Sequence, residues 1–496
     1  MVFRSKIIIG AILFISIISV KTAFCEDYMQ VQAAIDVTTV ASDGKFILSQ
    51  IADTARKNNI SIVIPTDGFL NKWEYGLWPF RNIIKRTMEI RSVSKFGIRR
   101  YLDEIKTVGR QNPDMIFIPG LETGPFYYWQ GGPFGKNFSI RDWHKHLLVI
   151  GLENEKDYKS LPVIGNGLAL NNPFGIKGIL LISVLISFLA AGLLLIREGS
   201  KSQRGIYARW HGLTLRQCKR AGILLVVISA GFLINSFPYS GVKYDQYHGD
   251  AGVVPYQNMI NYVKARGGVT FWEHPEAKNI DKLGNISIET YEHTDLLLAS
   301  RRYTGFAIFY EGYDRVGAPG CIWDEALKDY CNGIRPSPIW AIGALDFEKA
   351  DDLDRCMKNL RTVFLLSHFS KADALNAMKE GRMYVSKEKD AGNFILDNFT
   401  VKDSVKADVK IMGQELVTSD APCLTIAGHF IDNAAKSLKI TIIRSGEIIK
   451  IMSLGSPFKI DYKDDGDIGD RKFYYRLEIS SEGLFLVTNP IFVSRK

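Results

Sequence analysis

The sequence predicts an α/β protein, in which a barrel of alternating strands and helices is interrupted by a transmembrane helical hairpin and followed by a β-sandwich. Strand and helix patterns alternate through residues 26–176 and again through 239–393, which favours a sheet of parallel strands. Between these segments, residues 177–238 contain two long apolar runs around a basic loop. Over residues 394–496 the predicted strands are short, β-branched and bounded by glycine, aspartate and serine, which is typical of a small sandwich.

The N-terminus has the composition of a secretory signal. Arg4 and Lys6 precede an apolar run from Ile7 to Val20, and small residues follow near Ala23. This order is typical of a signal peptide. Residues 1–25 are therefore interpreted as a signal peptide or as an uncleaved N-terminal anchor.

The first barrel segment, residues 26–176, shows strand and helix patterns in turn. Apolar residues recur with helical spacing along 46–57, as in an amphipathic helix. Short apolar runs bounded by turn residues mark the strands. In order, the predicted elements are a strand at 33–35, a helix at 46–57, a strand at 61–65, a helix within 90–111, and strands at 115–118 and 146–152.

The middle segment, residues 177–238, predicts the transmembrane hairpin. The apolar runs 178–196 and 221–237 could each cross about 25–30 Å as a helix, at about 1.5 Å per residue. The loop between them carries a single acid, Glu198, and such a basic loop stays cytoplasmic. Two buried core helices are the alternative, which the charge asymmetry disfavours. The basic residues of the loop are Arg197, Lys201, Arg204, Arg209, Arg216, Lys219 and Arg220.

This topology predicts a location at the inner (cytoplasmic) membrane, with the barrel and the β-sandwich on the extracytoplasmic side. The formal net charge of +9 is modest for 496 residues, and much of the excess lies in the basic loop. The charge therefore gives no indication of a nucleic-acid partner, and the membrane is the predicted partner.

The second barrel segment and the C-terminal region continue the pattern. A helix leads through Gly267-Gly268 into a strand that ends at His274, and two further strands and a helix follow. The predicted elements are a helix at 259–266, strands at 269–272, 306–310 and 339–342, a helix at 372–380, and sandwich strands at 424–428, 438–443, 473–479 and 484–487.

Six short motifs lie at the ends of these apolar runs, and most carry a carboxylate or an imidazole. Oxygen and nitrogen ligands delivered from several strand ends are what a multinuclear divalent-metal site needs. Such sites collect at the carboxyl ends of barrel strands. The motifs are S-D-G at 42–44, T-D-G at 66–68, P-G-L-E at 119–122, H-L-L-V-I-G from His146, E-H-P-E at 273–276 and G-A-L-D-F-E at 343–348.

In order and spacing, the motifs between about Ala33 and Ser386 resemble the PHP (polymerase and histidinol phosphatase) family of metal-dependent phosphoesterases. The family pattern is H-x-H, S-D-G, T-D-H, a glutamate, two separated histidines and a closing D-x-H. The resemblance implies a distorted (β/α)7 TIM-like barrel. It also implies hydrolysis of a phosphoester or another group in the cell envelope.

The resemblance also implies a ligand set. Glu122, His146 and His274 match the ligands of one ion, and Asp43 and Asp346 match ligands of its neighbours. Asp36 and Glu348 stand where the family has histidine, whereas Thr38 and Gly68 offer no replacement for the family's other two histidines. Carboxylates favour harder ions, so the expected cofactor is one or two ions of Zn²⁺, Mn²⁺ or Mg²⁺.

Several alternatives stay open at this point. His146 precedes its strand, so strand logic alone does not place it with the other ligands. His144 is a second candidate for a missing imidazole, and Asp67 is equally well interpreted as a structural cap. The loss of histidines also allows a catalytically degenerate binding or scaffolding protein of the cell envelope instead of a hydrolase.

The cysteines suggest one further expectation. An exported domain lies in an oxidising compartment, where cysteines can pair. Cys321 and Cys331 are close in sequence and are the first candidates for a disulfide.

Overall fold

The structure, a computed structural model, has strands through most of its length and a long helical hairpin at its centre. It describes residues 28–135, 137–167, 169, 176–200, 209–210, 213–236, 244–347, 352–389, 394–403, 408–432, 435–466 and 472–495. The proposed signal segment, residues 1–25, and the candidate ligand Glu348 lie outside these residues.

The first segment contains the predicted strands and helices together with strands that sequence patterns did not predict. The helices are amphipathic: α1 buries Leu48, Ile51, Ala52 and Ala55 along one face. The elements are β1 (Met29–Val37), α1 (Leu48–Lys57), β2 (Ile62–Pro65), β3 (Lys72–Gly76), β4 (Lys85–Glu89), α2 (Val93–Phe96), α3 (Ile98–Gln111), β5 (Ile116–Phe117), β6 (Gly120–Thr123), β7 (Tyr128–Gln130), β8 (Ser139–Arg141), β9 (Leu147–Ile150) and α4 (Glu155–Lys159).

The central hairpin consists of α5 (Ile176–Gly199), two short strands, β10 (Arg209–Trp210) and β11 (Leu213–Thr214), and α6 (Leu215–Ser236). Residues Gly178–Gly199 and Leu215–Ser236 are long and apolar enough to cross a membrane. Only 11% and 17% of their most apolar stretches are buried, so they are not core helices. The chain therefore carries two exposed apolar helices, which is the coarse feature that the sequence predicted.

The second segment returns to the sheets that the first segment began. Its helices pack on these sheets, and a single π-helical turn, Tyr313–Gly317, precedes α9. The elements are α7 (Val254–Lys264), β12 (Val269–Trp272), β13 (Asn279–Leu283), β14 (Ile286–Thr290), α8 (Asp295–Ala299), β15 (Gly305–Ala307), α9 (Ile322–Cys331), β16 (Trp340–Ile342), β17 (Ala344–Phe347), α10 (Leu353–Asn359), β18 (Leu360–Leu366), α11 (Lys371–Glu380) and β19 (Met383–Glu388).

Among its described residues, the C-terminal region contains strands and no helix, in agreement with the strands that the sequence predicted. Its apolar residues form a second hydrophobic cluster that draws on two sheets and also on β18 and β19. The strands are β20 (Phe394–Lys402), β21 (Val409–Lys410), β22 (Glu415–Thr418), β23 (Cys423–Phe430), β24 (Ser437–Arg444), β25 (Glu447–Gly455), β26 (Phe458–Lys463), β27 (Phe473–Ser481), β28 (Leu484–Thr488) and β29 (Ile491–Arg495).

The strand pairings link the two halves of the first core. In the largest sheet, β17, β1, β2 and β5 are parallel neighbours in that order. A five-stranded sheet has the order β16-β15-β12-β9-β6. Only Ile118 and Pro119 separate β5 from β6, and only Gly343 separates β16 from β17. The same two stretches of chain therefore contribute to both sheets.

The expectation of a parallel sheet is wrong for β9, which runs antiparallel to both β6 and β12. Between β6 and β9 the chain forms β7 and β8 on a separate sheet and has no crossover helix, which a parallel neighbour would require. β9 and β12 pair directly although the hairpin separates them in sequence. The two predicted barrel segments therefore contribute strands to the same sheet.

The expected pairing of Cys321 with Cys331 is wrong, because both cysteines are free. Cys321 directly precedes α9 and Cys331 is the last residue of this 10-residue helix. A helix of that length spans about 15 Å. A disulfide needs the two Cα atoms within about 7 Å.

Candidate metal centre

The direction of β9 brings His146 to the other candidate ligands. Because β9 is antiparallel to its neighbours, its first residue lies beside the last residues of β6 and β12. Leu147 is paired with Thr123 on one side and with Trp272 on the other. The backbone N–H of Glu273 donates to the carbonyl of His146 at 3.2 Å. His146 therefore lies at the same end of the sheet as the strand-end carboxylates.

Glu122 and His146 form an ion pair at this end of the sheet. The Nδ1 atom of His146 contacts Oε1 of Glu122. Burial alone would raise the pKa of Glu122, but the charge and hydrogen bond of His146 outweigh it and lower that pKa to about 2. Burial conversely lowers the pKa of His146, and the Glu122 carboxylate outweighs it, so the pKa is raised overall. The pair thus supplies one carboxylate and one imidazole side by side.

Three other candidate ligands have an unusual backbone conformation. Asp36, His274 and Asp346 have φ angles of 70°, 43° and 47°, in the left-handed region that most side chains avoid. The strand pairing also shifts at Asp36, between Ile35 and Val37, as in a β-bulge. Bulges and left-handed residues re-aim side chains next to functional sites, at a cost of about 1–3 kcal/mol each for the strained residue.

Glu273 is the residue that sequence reasoning missed. Its side chain is fully buried, and among the described residues neither carboxylate oxygen receives a hydrogen bond. Nε2 of His274 lies 3.3 Å from Oε1. Burial, followed by the charges of Asp36 and Glu122, raises the pKa of Glu273 well above its ordinary value. A buried carboxylate in this position is costly unless a cation lies next to it.

Two groups of ligand atoms meet at Glu273. Glu122, His146 and Glu273 form one group, and Glu273, His274 and Asp346 form the other. Within each group the ligand atoms all lie within 4.8 Å of one another. Nε2 of His274 is 3.5 Å from Oδ1 of Asp346. Glu273 is thus a shared carboxylate between two candidate positions for a cation.

Strand periodicity hid this role of Glu273. Successive residues of a strand point to opposite faces, so a regular strand that brings His274 to the site would point Glu273 away from it. The left-handed backbone at His274 breaks that alternation. The available signal was the E-H-P-E motif itself, in which a glutamate directly follows a fully apolar strand.

The donor set fits a divalent metal. Two imidazoles and three carboxylates converge, and a bound cation would stabilise the charged form of the buried Glu273 carboxyl. Imidazole with carboxylate suits Zn²⁺ or Mn²⁺. The residues that would hold such ions are Glu122, His146, Glu273, His274 and Asp346.

The remaining predicted ligands occupy other places. Asp36 is buried beside the site and accepts hydrogen bonds from the Thr66 hydroxyl and, at 3.0 Å, from the backbone N–H of Asp346. Asp43 is exposed and belongs to neither group of ligand atoms, although it lines the same cavity. Partial desolvation of its carboxyl in the cavity and the charge of Glu122 raise the pKa of Asp43.

The positions of two missing histidines are filled by other contacts. A Cβ atom at Gly68 would lie 2.7 Å from Nδ2 of Asn71, so the Asn71 amide takes the space of a side chain there. That amide donates to Asp43 at 3.3 Å and to the carbonyl of Arg91 at 3.1 Å. The Thr38 hydroxyl donates to the carbonyl of Phe347. Neither position supplies a metal ligand.

Asp67 supports the loop that carries Asp43. Its carboxylate accepts from the backbone N–H groups and hydroxyls of Thr39 and Ser42 at 2.7–3.1 Å. Burial raises the pKa of Asp67 to about 6, although these hydrogen bonds act in the opposite direction. The structural interpretation of Asp67 therefore agrees with its contacts.

The site opens into a cavity of 410 Å³. His144 lines it, and burial together with the charge of His146 lowers the pKa of His144 to about 4, so this imidazole is neutral at pH 7. Tyr310 and Glu311 also line the cavity. The full lining is Asp36, Thr38, Asp43, Glu122, His144, His146, His274, Asn279, Tyr310, Glu311, Asp346 and Phe347.

No protein-family model and no curated protein matches the chain. Among solved structures, a two-domain protein from Bacteroides vulgatus, containing a predicted PHP-like metal-dependent phosphoesterase, is 11% identical. The match covers 91% of each chain, with a TM-score of 0.35. A predicted metal-dependent phosphoesterase from Bifidobacterium adolescentis is 14% identical over 64% of this chain and 87% of its own, with a TM-score of 0.26. Both of these solved structures are thus described in terms of a predicted metal-dependent phosphoesterase.

Proposed function

We propose that this chain is a membrane-anchored, extracytoplasmic, PHP-like metal-dependent hydrolase of the phosphoesterase type. The observation that carries the proposal is the meeting of two ligand groups at the orphaned carboxylate of Glu273. A site with two adjacent cation positions suits the hydrolysis of phosphoesters, because paired metals can stabilise both the attacking and the leaving oxygen. The proposed substrate is a phosphoester or polymer of the cell envelope.

The proposed fold for this activity is a distorted (β/α)7 barrel followed by a β-sandwich. The pairings of the two sheets support the barrel, because the stretches β5–β6 and β16–β17 each contribute to both sheets. The second hydrophobic cluster supports the sandwich, because it draws on β23 in one sheet and on β24 in the other. The proposed domains remain 26–176 with 239–393 for the barrel, and 394–496 for the sandwich.

The chain's own residues would divide the work at the cavity. A bound divalent ion would supply Lewis acidity and would lower the pKa of a bound water to about 7. Glu122, His146, Glu273, His274 and Asp346 would hold the ions, and Asp36 lies within the same cavity wall as a candidate for proton transfer. The neutral imidazole of His144 can hydrogen-bond a substrate oxygen without adding charge.

The rival function is a binding or scaffolding module that keeps the barrel and one metal, or none, and lacks turnover. The contacts of Asn71 favour it, because they fill the place of one family ligand and leave Asp43 bound to an amide. Hydrolase activity would require only the ions held around Glu273, and would not require the ligand position that Asn71 fills. The two proposals therefore differ in turnover.

The test is metal analysis and phosphoester hydrolysis by the purified full chain in detergent. We expect at least one bound divalent ion, its loss in His274→Ala, and hydrolysis that requires the ion. His248→Ala is the matched control, because His248 is exposed and pairs with Asp245. A tightly bound metal without turnover on a broad phosphoester panel would favour the binding module, and a chain without metal would contradict both the hydrolase and the metal site.

The proposed membrane topology has its own test. The two apolar helices support the anchoring, and the basic loop between them supports a cytoplasmic loop. Reporter fusions at Gln203 and after Lys496 should report opposite compartments. The same compartment for both fusions would rule out a hairpin that spans the membrane.

A further inference from the structure

The loop that joins β3 to β4 presents large apolar side chains to solvent. Trp78 is 79% exposed, and Ile84, Ile83 and Leu77 are 51%, 47% and 38% exposed. We call residues 77–84 the hairpin tip, where the hairpin is the one formed by β3 and β4 and is distinct from the helical hairpin of α5 and α6. Single exposed apolar residues are ordinary, whereas a contiguous group of them on a protruding hairpin indicates a partner surface.

The hairpin tip touches the end of the second apolar helix. The backbone N–H of Asn82 donates to Oδ1 of Asn235 at 2.9 Å, and the Asn82 amide donates to the carbonyl of Asn235 at 2.6 Å. The rings of Phe80 and Phe232 lie 5.2 Å apart. Because α6 ends at Ser236, the hairpin tip lies at the level where this helix would leave a bilayer.

The composition of the hairpin tip suits a membrane interface. Tryptophan is enriched there because its ring is apolar and its N–H is polar. Cationic side chains follow the apolar ones, with Arg81 in the tip and Lys85 and Arg86 on β4. Phe134, which is 95% exposed, faces a 610 Å³ groove that it shares with Leu77 and Ile84. The apolar surface thus extends beyond the tip to a second loop.

We propose that the hairpin tip and Phe134 form a membrane-docking surface, which inserts into the headgroup region of the bilayer beside α6. This proposal rests on the membrane anchoring of the proposed function. Its consequence is that the candidate metal site is held at a short distance from the membrane surface. Asn71, which hydrogen-bonds Asp43 at the cavity, directly precedes β3. The five residues of β3 span about 17 Å between that point and the tip.

The experiment places a polarity-sensitive fluorescent amino acid at single positions of the full chain in phosphatidylcholine–phosphatidylglycerol vesicles. The vesicles carry nitroxide groups on their acyl chains, which quench only dyes at membrane depth. Position 78 tests the hairpin tip. Position 224, at the centre of α6, reports the membrane span, and position 451 on β25 is an exposed apolar control.

We expect strong quenching at positions 78 and 224 and none at 451. Quenching at 224 without quenching at 78 would overturn the docking surface and leave the anchoring intact. An unquenched 224 would overturn both, and equal quenching at 451 would overturn the docking surface as a specific contact. A second variant, Leu77→Ser with Ile84→Ser, should reduce the quenching at 78 while that at 224 stays unchanged.

Discussion

At the scale of residues, the site depends on side chains whose local conformation or burial is unfavourable. Asp36, His274 and Asp346 have left-handed backbones, and Glu273 is buried with no hydrogen-bond donor among the described residues. Such features persist only where the surrounding structure requires them. Their concentration around one cavity is the physical argument for a ligand there, and the argument can be tested at Glu273.

Replacing Glu273 with glutamine should separate a ligand from a structural residue. We expect Glu273→Gln to weaken metal binding by at least about tenfold, as for losses around metal sites generally. The metal-free variant should be as stable as the native chain or more stable, because the cost of burying the Glu273 carboxyl beside Asp36 and Glu122 is removed. Calorimetric metal titration and thermal unfolding in chelator measure the two effects.

The matched control for this prediction is Glu276→Gln, three residues away. The Glu276 carboxylate accepts from the backbone N–H groups of Arg315 and Val316 at 2.8 Å. Its replacement should cost about 1 kcal/mol of stability and leave metal affinity unchanged. A Glu273→Gln variant that loses stability but binds metal normally would contradict the shared-ligand role.

At the scale of elements, the helical hairpin packs through small residues. A Cβ atom at Gly222 would lie 2.6 Å from the carbonyl oxygen of Gly192, and one at Gly192 would lie 2.8 Å from the Val226 side chain. Cys218 and Ser229 are also buried on α6. Small residues of this kind let helix backbones approach closely where lipid gives no hydrophobic drive for association.

A larger side chain at this contact should therefore push the two helices apart. We expect Gly222→Leu to destabilise the hairpin by about 1–3 kcal/mol, as overpacking usually does. Ala190→Leu is the control, because Ala190 is exposed on α5. Thermal unfolding in detergent and protease sensitivity of the helices measure the effect. Equal stability of both variants would show that the hairpin does not depend on this close approach.

At the scale of the whole molecule, a buried ion pair joins α9 to the C-terminal strands. The guanidinium of Arg476 on β27 donates to both oxygens of Asp324 at 2.9 and 2.6 Å, and both side chains are fully buried. The Tyr474 hydroxyl donates to Asp324 at 2.8 Å. The sheet itself also runs from β1 through β18 and β19 to β28. The two hydrophobic clusters should consequently unfold together.

Breaking the ion pair should affect both halves at once. We expect Arg476→Met to cost about 3–5 kcal/mol, because Asp324 is left buried and uncompensated. The double variant Arg476→Met with Asp324→Leu should recover much of that loss. Unfolding is followed separately in the first segment and in the C-terminal strands. A loss confined to the C-terminal strands would contradict a single cooperative unit.

Much of this protein could be predicted from its sequence because the signals were local. Apolar runs and their bounding residues located fewer than half of the strands and helices of the first core, and the two exposed apolar helices followed from length and composition. The strand-end motifs identified Glu122, His146, His274 and Asp346, which the structure brings into the two ligand groups. The sequence was sufficient for these features because each depends on neighbours within a few residues.

Only the tertiary structure decided how these pieces meet. The antiparallel direction of β9 placed His146 beside the other candidate ligands. The left-handed backbone at His274 interrupts the strand alternation that would point Glu273 away from them. The contact between the hairpin tip and α6 was likewise outside the reach of sequence patterns. Strand direction, left-handed backbone and distances between remote segments are set by through-space packing, which local periodicity does not encode.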